Sequence, residues 1–201
     1  MIRAFFNDKA AIWDKVIAEK DISKLEAMAQ RLNIKPGFTI LDIGTGTGVF
    51  VPFLLSKIGG NGKLVAIDIA EEMLRLARAK GFPGNIQHIH ADILSLPITE
   101  ATFDTVVCYS SFPHFHNKPK ALTEIARVLK AGASLFICHT SSRSVINAIH
   151  SEMPSVKNDL IPDNGEMHAL LSSAGFSNIK IEDSTNSYLA SASKSWGAKK
   201  E

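Results

Sequence analysis

An open, doubly wound α/β sheet of mostly parallel strands is the fold class that three features of this 201-residue sequence predict. The first is the stretch Leu41-Asp42-Ile43-Gly44-Thr45-Gly46-Thr47-Gly48-Val49-Phe50, where an apolar run meets three alternating glycines and then an apolar helical period. The second is the alternation of short apolar runs with amphipathic segments from there to Cys138, the pattern of parallel strands joined by helices. The third lies near the end. Runs close to Ser177–Ile181 and Ser187–Ala192 are separated only by Asp183-Ser184-Thr185-Asn186, too short for a parallel crossover, so the last strand is antiparallel. Five parallel units and this hairpin make seven strands.

Residues 1–33 have a helical period, with apolar patches at Ile12, Trp13, Val16 and Ile17 and at Ile22, Leu25, Met28, Ala29 and Leu32. Asp21 or Ser23 is placed to cap the second helix. Pro36-Gly37 turns the chain into the first strand, Thr39–Ile43. Pro52 confines the next helix to start in its own first turn. Lys63–Ile67 is a second strand ended by Asp68, and Met73, Leu74, Leu76 and Ala77 mark a helix reaching Lys80. Asn85–His90 and Thr102–Tyr109 are the third and fourth strands. Lys118–Leu129 is a helix, and Gly132 is expected to close the turn into a fifth strand at Ser134–Cys138. A helix over Met167–Ala174, ended by Gly175, precedes the hairpin.

Composition narrows the class of protein. A net charge of +2 with both signs dispersed offers no footprint for nucleic acid or a membrane surface. Cys108 and Cys138 stand apart in apolar runs and read as reduced core thiols. No apolar stretch reaches membrane length, and the first residues do not form a signal peptide, so a cytoplasmic location is expected. No second domain is visible. The expected organisation is one domain over 1–201, with N-terminal helices over the pocket (1–35), a ligand-binding core (36–138) and an acceptor-side segment with the terminal hairpin (139–201).

The glycine spacing selects the ligand. A dinucleotide fingerprint has its third glycine three positions after the second, whereas here Gly48 follows Gly46 after two, and Val49 stands where glycine is wanted. Asp42, at the strand end, would repel a pyrophosphate but can pair with an ammonium group. A ligand with an amino-acid end and no phosphate is implied. Asp68 lies 20 residues beyond Gly48, where a carboxylate meets ribose hydroxyls.

The pattern Asp-x-Gly-x-Gly-x-Gly at Asp42–Gly48 resembles the first motif of class I S-adenosylmethionine-dependent methyltransferases, whose fold is a Rossmann-like seven-stranded sheet. The Phe103-Asp104 opening of the fourth strand and the run Ala121–Gly132 are similar to that family too, and the leader Phe5–Asp14 resembles one that lies over the cofactor pocket. The nearest general likeness is to the small-molecule group that includes quinone C-methyltransferases. The resemblance implies S-adenosylmethionine as cofactor and a small-molecule methyl acceptor. It implies cofactor contacts from Asp42, Gly44, Thr45, Gly46 and Gly48. Asp68 would take the ribose, Ile69 and Met73 the adenine face, and Asp92 and Ile93 the adenine edge; Tyr109 would lie beside the cofactor. No Asn-Pro-Pro-Tyr or Asp-Pro-Pro-Tyr motif is present, which argues against methylation of a nucleobase or glutamine amide nitrogen.

The acceptor is expected beyond the strand ends, where His114, His139 and Tyr109 are candidate catalytic residues. Arg143, Asn147 and His150 share one face of a helix that starts at the same crevice. Three imidazoles, His114, His139 and His150, are therefore candidate ligands for a transition metal such as zinc or iron. The alternatives are polar contacts to the acceptor or a purely structural role. The linker Ser151–Gly165 is expected to form a lid or wall of the acceptor pocket, or a plain surface loop. Two rival functions remain: a protein that binds S-adenosylmethionine or its demethylated product without turnover, and a nicotinamide oxidoreductase, which the glycine spacing disfavours.

Overall fold

In the computed structural model, which describes residues 2–17 and 19–196, seven strands form one sheet in the order β3-β2-β1-β4-β5-β7-β6. The chain enters through α1 (Ile2–Ile12), one π-helical stretch (Trp13–Ile17) and α2 (Ile22–Arg31), which Asp21 caps by accepting from the Ser23 and Lys24 amides. Then β1 (Thr39–Ile43), α3 (Val51–Ile58), β2 (Lys63–Asp68), α4 (Glu71–Ala79) and β3 (Ile86–His90) build one half of the sheet. The other half is β4 (Phe103–Tyr109), α5 (Lys118–Val128), β5 (Leu129–His139), α6 (Arg143–Ser151), α7 (Asn164–Ser173) and the hairpin β6 (Phe176–Ser184) and β7 (Ser187–Lys194). β1 to β5 run parallel, and β7 is antiparallel to both neighbours.

Alternation along the central strands divides the core in two. Leu41, Ile43, Val65, Ile67, Val106 and Cys108 pack towards Leu122, Ile125, Met167 and Leu171. Ile40, Leu64, Val107 and Cys138 face Leu25, Met28, Val51 and Leu54 on the opposite side. Because side chains alternate across a strand, near-continuous apolar runs such as Leu135-Phe136-Ile137-Cys138 fit a strand buried on both faces. The outer strand β6 instead carries Lys180, Glu182 and Asp183, charges that guard an open edge.

The fifth strand departs from expectation. Leu129 already pairs with Phe103, and the register then jumps so that Ser134 faces Thr105. Gly132, at φ +74°, lies in this bulge and does not close a helix; the α5 end is capped by the Leu129 amide on the Ile125 carbonyl. Elsewhere the ends follow local chemistry: Asp163 and Glu166 form a reciprocal capping box on α7, and Gly175 follows it at φ +86°. No helix is long and apolar enough to cross a membrane among the described residues.

Candidate active site

A cavity of about 570 Å³ opens where β1, β2, β3, β4 and β5 end. This is the position at which open parallel sheets bind ligands, because the strand-to-helix loops diverge there. One half is lined by Gly44, Thr45, Gly46, Asp68, Ile69, Met73, Asp92 and Ile93. The other is lined by Tyr109, Ser111, His114, His139, Thr140, His150, Met153 and Val156. Ile2, Phe5, Phe6 and Trp13 cover it from α1 and the turn that follows.

The glycine loop is held from within. The Gly44 and Thr45 amides donate to the Ile67 carbonyl at 2.8 and 3.0 Å, and the Gly48 amide donates to Thr45. The Gly46 amide donates to Asp68 Oδ2 at 2.8 Å. These four amides are engaged by the protein itself, so they do not form the phosphate cradle that a dinucleotide would require. Gly44 sits at φ +71°, and a Cβ there would lie 2.4 Å from Ser111 Cβ. Ser111 is fixed in turn by donating from Oγ to the Ile43 carbonyl at 2.6 Å.

Asp68 is 7% exposed, with Oδ1 accepting from the Ala70 amide and Oδ2 from Gly46. Burial raises its pKa, and these amide donors pull the other way. Each oxygen accepts one bond within the protein, leaving lone pairs for hydroxyls in the cavity. The Asp92 carboxylate accepts from the Leu94 amide and is solvent-exposed at the cavity edge. Thr45 lines the cavity, but its Oγ1 is buried on the side of Asp42. Carboxylate, apolar Ile69 and Met73, and a loop with no phosphate cradle fit a nucleoside that carries no pyrophosphate.

Two expected cofactor residues do not reach the cavity. Gly48 packs against the Phe82 ring, which an added Cβ would meet at 2.7 Å, so close packing explains this glycine. Asp42 is 1% exposed beneath the loop, and neither of its oxygens has a hydrogen-bond partner. Burial pushes its pKa up to about 7; the Thr45 hydroxyl, outside hydrogen-bond geometry, offsets this in part, and the charge of Asp68 adds to it. The consequence for stability has a definite sign. Well below pH 4, folded and unfolded chains both hold the proton. Between there and pH 7 only the folded chain keeps it, so stability falls, and above about 7 the full penalty persists. A rise of that size corresponds to about 4 kcal/mol. Asp42→Asn should therefore raise thermal stability at pH 8, with the gain shrinking towards pH 4. A gain of the same size at both pH values would contradict the assignment.

On the acceptor side, Tyr109 stacks on Phe50 with ring centroids 4.4 Å apart, and its hydroxyl pairs with Thr140 Oγ1 at 3.1 Å. Thr140 donates to Glu19 Oε2 at 3.1 Å, so Tyr109 is the donor in the first bond. Burial lifts the phenol to about 12, which keeps it a neutral hydrogen-bonding group and not a base. His139 is 1% exposed with both ring nitrogens unpaired, and burial, with His114 and His150 nearby, lowers its pKa to about 3. It is therefore a neutral contact. His114 Nδ1 lies 2.9 Å from Asp159 Oδ2, and the His114 and His150 rings stand 4.9 Å apart.

The three imidazoles share the cavity. Among the described residues no three His, Cys, Asp or Glu side chains are arranged to hold an ion. The linker draws the Nδ1 atoms of both His114 and His150 to Asp159. The rest of the α6 face is structural. Asn147 pins Ile161 through two hydrogen bonds of 3.0 and 2.9 Å, and Arg143 pairs with Asp183. The linker itself forms a cavity wall through Met153 and Val156.

Sequence reasoning passed over the cavity roles of Glu19, Thr140 and Asp159, whose partners are 121, 31 and 45 residues distant. No local motif marks such pairs. The roof is strapped down similarly: Arg3 forks onto Glu71 at 2.8 and 2.6 Å, and Asp14 meets both Thr47 and Lys80.

A parallel sheet with an antiparallel seventh strand and a cavity over a Gly-x-Gly-x-Gly loop is the architecture of an α/β methyltransferase domain. A family model described as a methyltransferase domain matches residues 40–132. The ubiquinone/menaquinone biosynthesis C-methyltransferase UbiE of Enterobacter sp. (strain 638) is 30% identical over 140 residues, 68% of this chain and 55% of that protein. The chain thus spans about half the length of the curated relatives it matches. The structure of a SAM dependent methyltransferase from Aquifex aeolicus superposes with a TM-score of 0.75 at 24% identity, covering 94% of this chain and 98% of that one. A chain from the complex between the Haloferax volcanii Trm112 methyltransferase activator and a methyltransferase gives 0.77 at 19% identity, covering 95% and 98%. The chain belongs to the class I S-adenosylmethionine-dependent methyltransferases.

Proposed function

We propose that this protein transfers the methyl group of S-adenosylmethionine to a small molecule bound on the histidine side of the cavity. The observation that carries the reading is a single cavity that joins the glycine loop and Asp68 to His114, His139 and His150. Bound there, S-adenosylmethionine supplies a methyl group on a sulfonium, already an excellent leaving group. The chain's own work is to bind, orient and exclude water. Positioning of this kind supplies at most roughly 7–11 kcal/mol.

In this reading Asp68 accepts from the ribose hydroxyls while the Gly46 and Ala70 amides hold its carboxylate in place. Gly44 and Gly46 line the cavity without side chains and let the ligand approach the main chain. Ile69 and Met73 form the adenine face, and Asp92 with the Ile93 backbone meets its edge. Phe6 and Trp13 close the roof and keep water out. The acceptor lies among Tyr109, His139 and the walls from α6 and the linker. The relative's name describes a C-methyltransferase of ubiquinone/menaquinone biosynthesis, which favours a small organic acceptor over a macromolecule.

The test has two arms. Calorimetry should show S-adenosylhomocysteine binding at one site per chain. Methyl-labelled S-adenosylmethionine incubated with a small-molecule metabolite extract should yield a labelled low-molecular-weight product. Binding without any labelled product would support a non-catalytic sensor in place of an enzyme, and absent binding would remove both readings.

A further inference from the structure

We propose that Asp159 sets the tautomers of His114 and His150 so that both present a bare Nε2 to the cavity, and that His114 there takes the proton of a protic methyl acceptor. The inference rests on the methyl-transfer reading. His114 is its catalytic base, and Asp159 is a positioning residue.

Asp159 acts twice. Its carboxylate lies 2.9 Å from His114 Nδ1, and its backbone carbonyl meets His150 Nδ1. Carboxylate and carbonyl oxygens only accept, so each ring must carry hydrogen on Nδ1. In the neutral ring the lone pair is then on Nε2. Both rings line the cavity. The His114 and Asp159 side chains are each 13% exposed, so water scarcely competes for their contact. Phe6 packs edge-on against the His114 ring at 4.9 Å and holds its plane.

Four titratable or charged groups face His114: Asp159 from the linker, His150 from α6, His139 from β5 and Lys118 from α5. The Lys118 ammonium is held at 2.8 and 3.3 Å by the Pro113 and Phe115 carbonyls. Burial keeps the His114 ring neutral near physiological pH, Asp159 opposes that shift, and His150 and Lys118 reinforce it. Of the two oriented rings only His114 has a carboxylate behind it, so only its imidazolium is stabilised by an opposite charge as it forms.

The step balances. The acceptor's lone pair forms the bond to the methyl carbon as the methyl–sulfur bond breaks, with that electron pair passing to sulfur. The acceptor proton moves to His114 Nε2, and the imidazolium later returns it to solvent. The acceptor is therefore an O–H nucleophile such as a phenol or enol, which is too weakly nucleophilic until the proton leaves.

Nitrogen-15 NMR of histidine-labelled chain saturated with S-adenosylhomocysteine tests this. Neutral His114 should carry its proton on Nδ1 in the wild type. Asp159→Asn should lower the His114 pKa by about one to three pH units and shift its proton towards Nε2, and Asp159→Glu should restore part of both. S-adenosylhomocysteine affinity, measured on the same samples, should be unchanged. If the wild type failed to bind it, the methyl-transfer reading would fall while the tautomers could still be read. With the labelled-methyl assay, His114→Gln should lose about 100-fold or more in product formation. An Nε2–H tautomer in the wild type, a titration unmoved by Asp159→Asn, or stoichiometric zinc held on these Nε2 atoms would overturn the proposal.

Discussion

Asp68→Ala should weaken S-adenosylhomocysteine binding by about 100-fold or more. The residue has two connected tasks. Its carboxylate fixes the glycine loop through Gly46 and the start of α4 through Ala70, at 2.8 Å each. Its remaining lone pairs face the cavity, where two ribose hydroxyls would each form a charge-assisted hydrogen bond worth roughly 1.5–3 kcal/mol. Asp68→Asn separates the tasks. It keeps the size and one acceptor oxygen, but its amide nitrogen opposes either a loop amide or a hydroxyl proton. Calorimetry should rank wild type above Asn and Asn above Ala. An alanine variant with unchanged affinity would remove Asp68 from the site.

Gly44→Ala should cost about 3 kcal/mol of folding stability, within the range of severe single substitutions. Two causes add. The backbone at φ +71° is disfavoured for any side chain, by roughly 1–2 kcal/mol. The new methyl would also lie 2.4 Å from Ser111 Cβ. Ser111 cannot yield freely, because its hydroxyl holds the Ile43 carbonyl at 2.6 Å. Combining Gly44→Ala with Ser111→Gly should recover the clash and leave the backbone strain. Denaturant midpoints measure both, and a double variant no more stable than Gly44→Ala would show that the clash is not the cause.

The strand–glycine–helix unit was legible because its signals are local. β-branched residues at Thr39 and Ile40, glycines where φ turns positive, and Pro52 in the first turn of α3 each act within a few residues of one another. The spacing argument against a dinucleotide has its counterpart in the loop, where four amides are already engaged by Ile67, Asp68 and Thr45. The β5 start was misplaced because Gly132 has the same local signature whether it ends a helix or sits in a bulge. Only the pairing of Leu129 with Phe103 distinguishes them. Gly48 illustrates the same limit, since a glycine beside a ligand and a glycine beside Phe82 look alike in a string of letters.

By itself, the sequence determined the sheet, its antiparallel end, the cofactor class and the crevice where the acceptor should lie. The sheet and its antiparallel end follow from period, turn chemistry and spacing, all short-range properties of a chain, and the cofactor class from the resemblance of the Asp42–Gly48 motif to a known family. The tertiary structure alone decided how His114 and His150 are held. Three imidazoles in one crevice suggested metal ligands. Asp159, reaching His114 with its carboxylate and His150 with its carbonyl, fixes the orientation of two of them. That decision depends on where a linker between two helices comes to rest. Its position is set by Asn147 binding Ile161 and by the burial of Val156 and Ile161, long-range packing with no period to announce it.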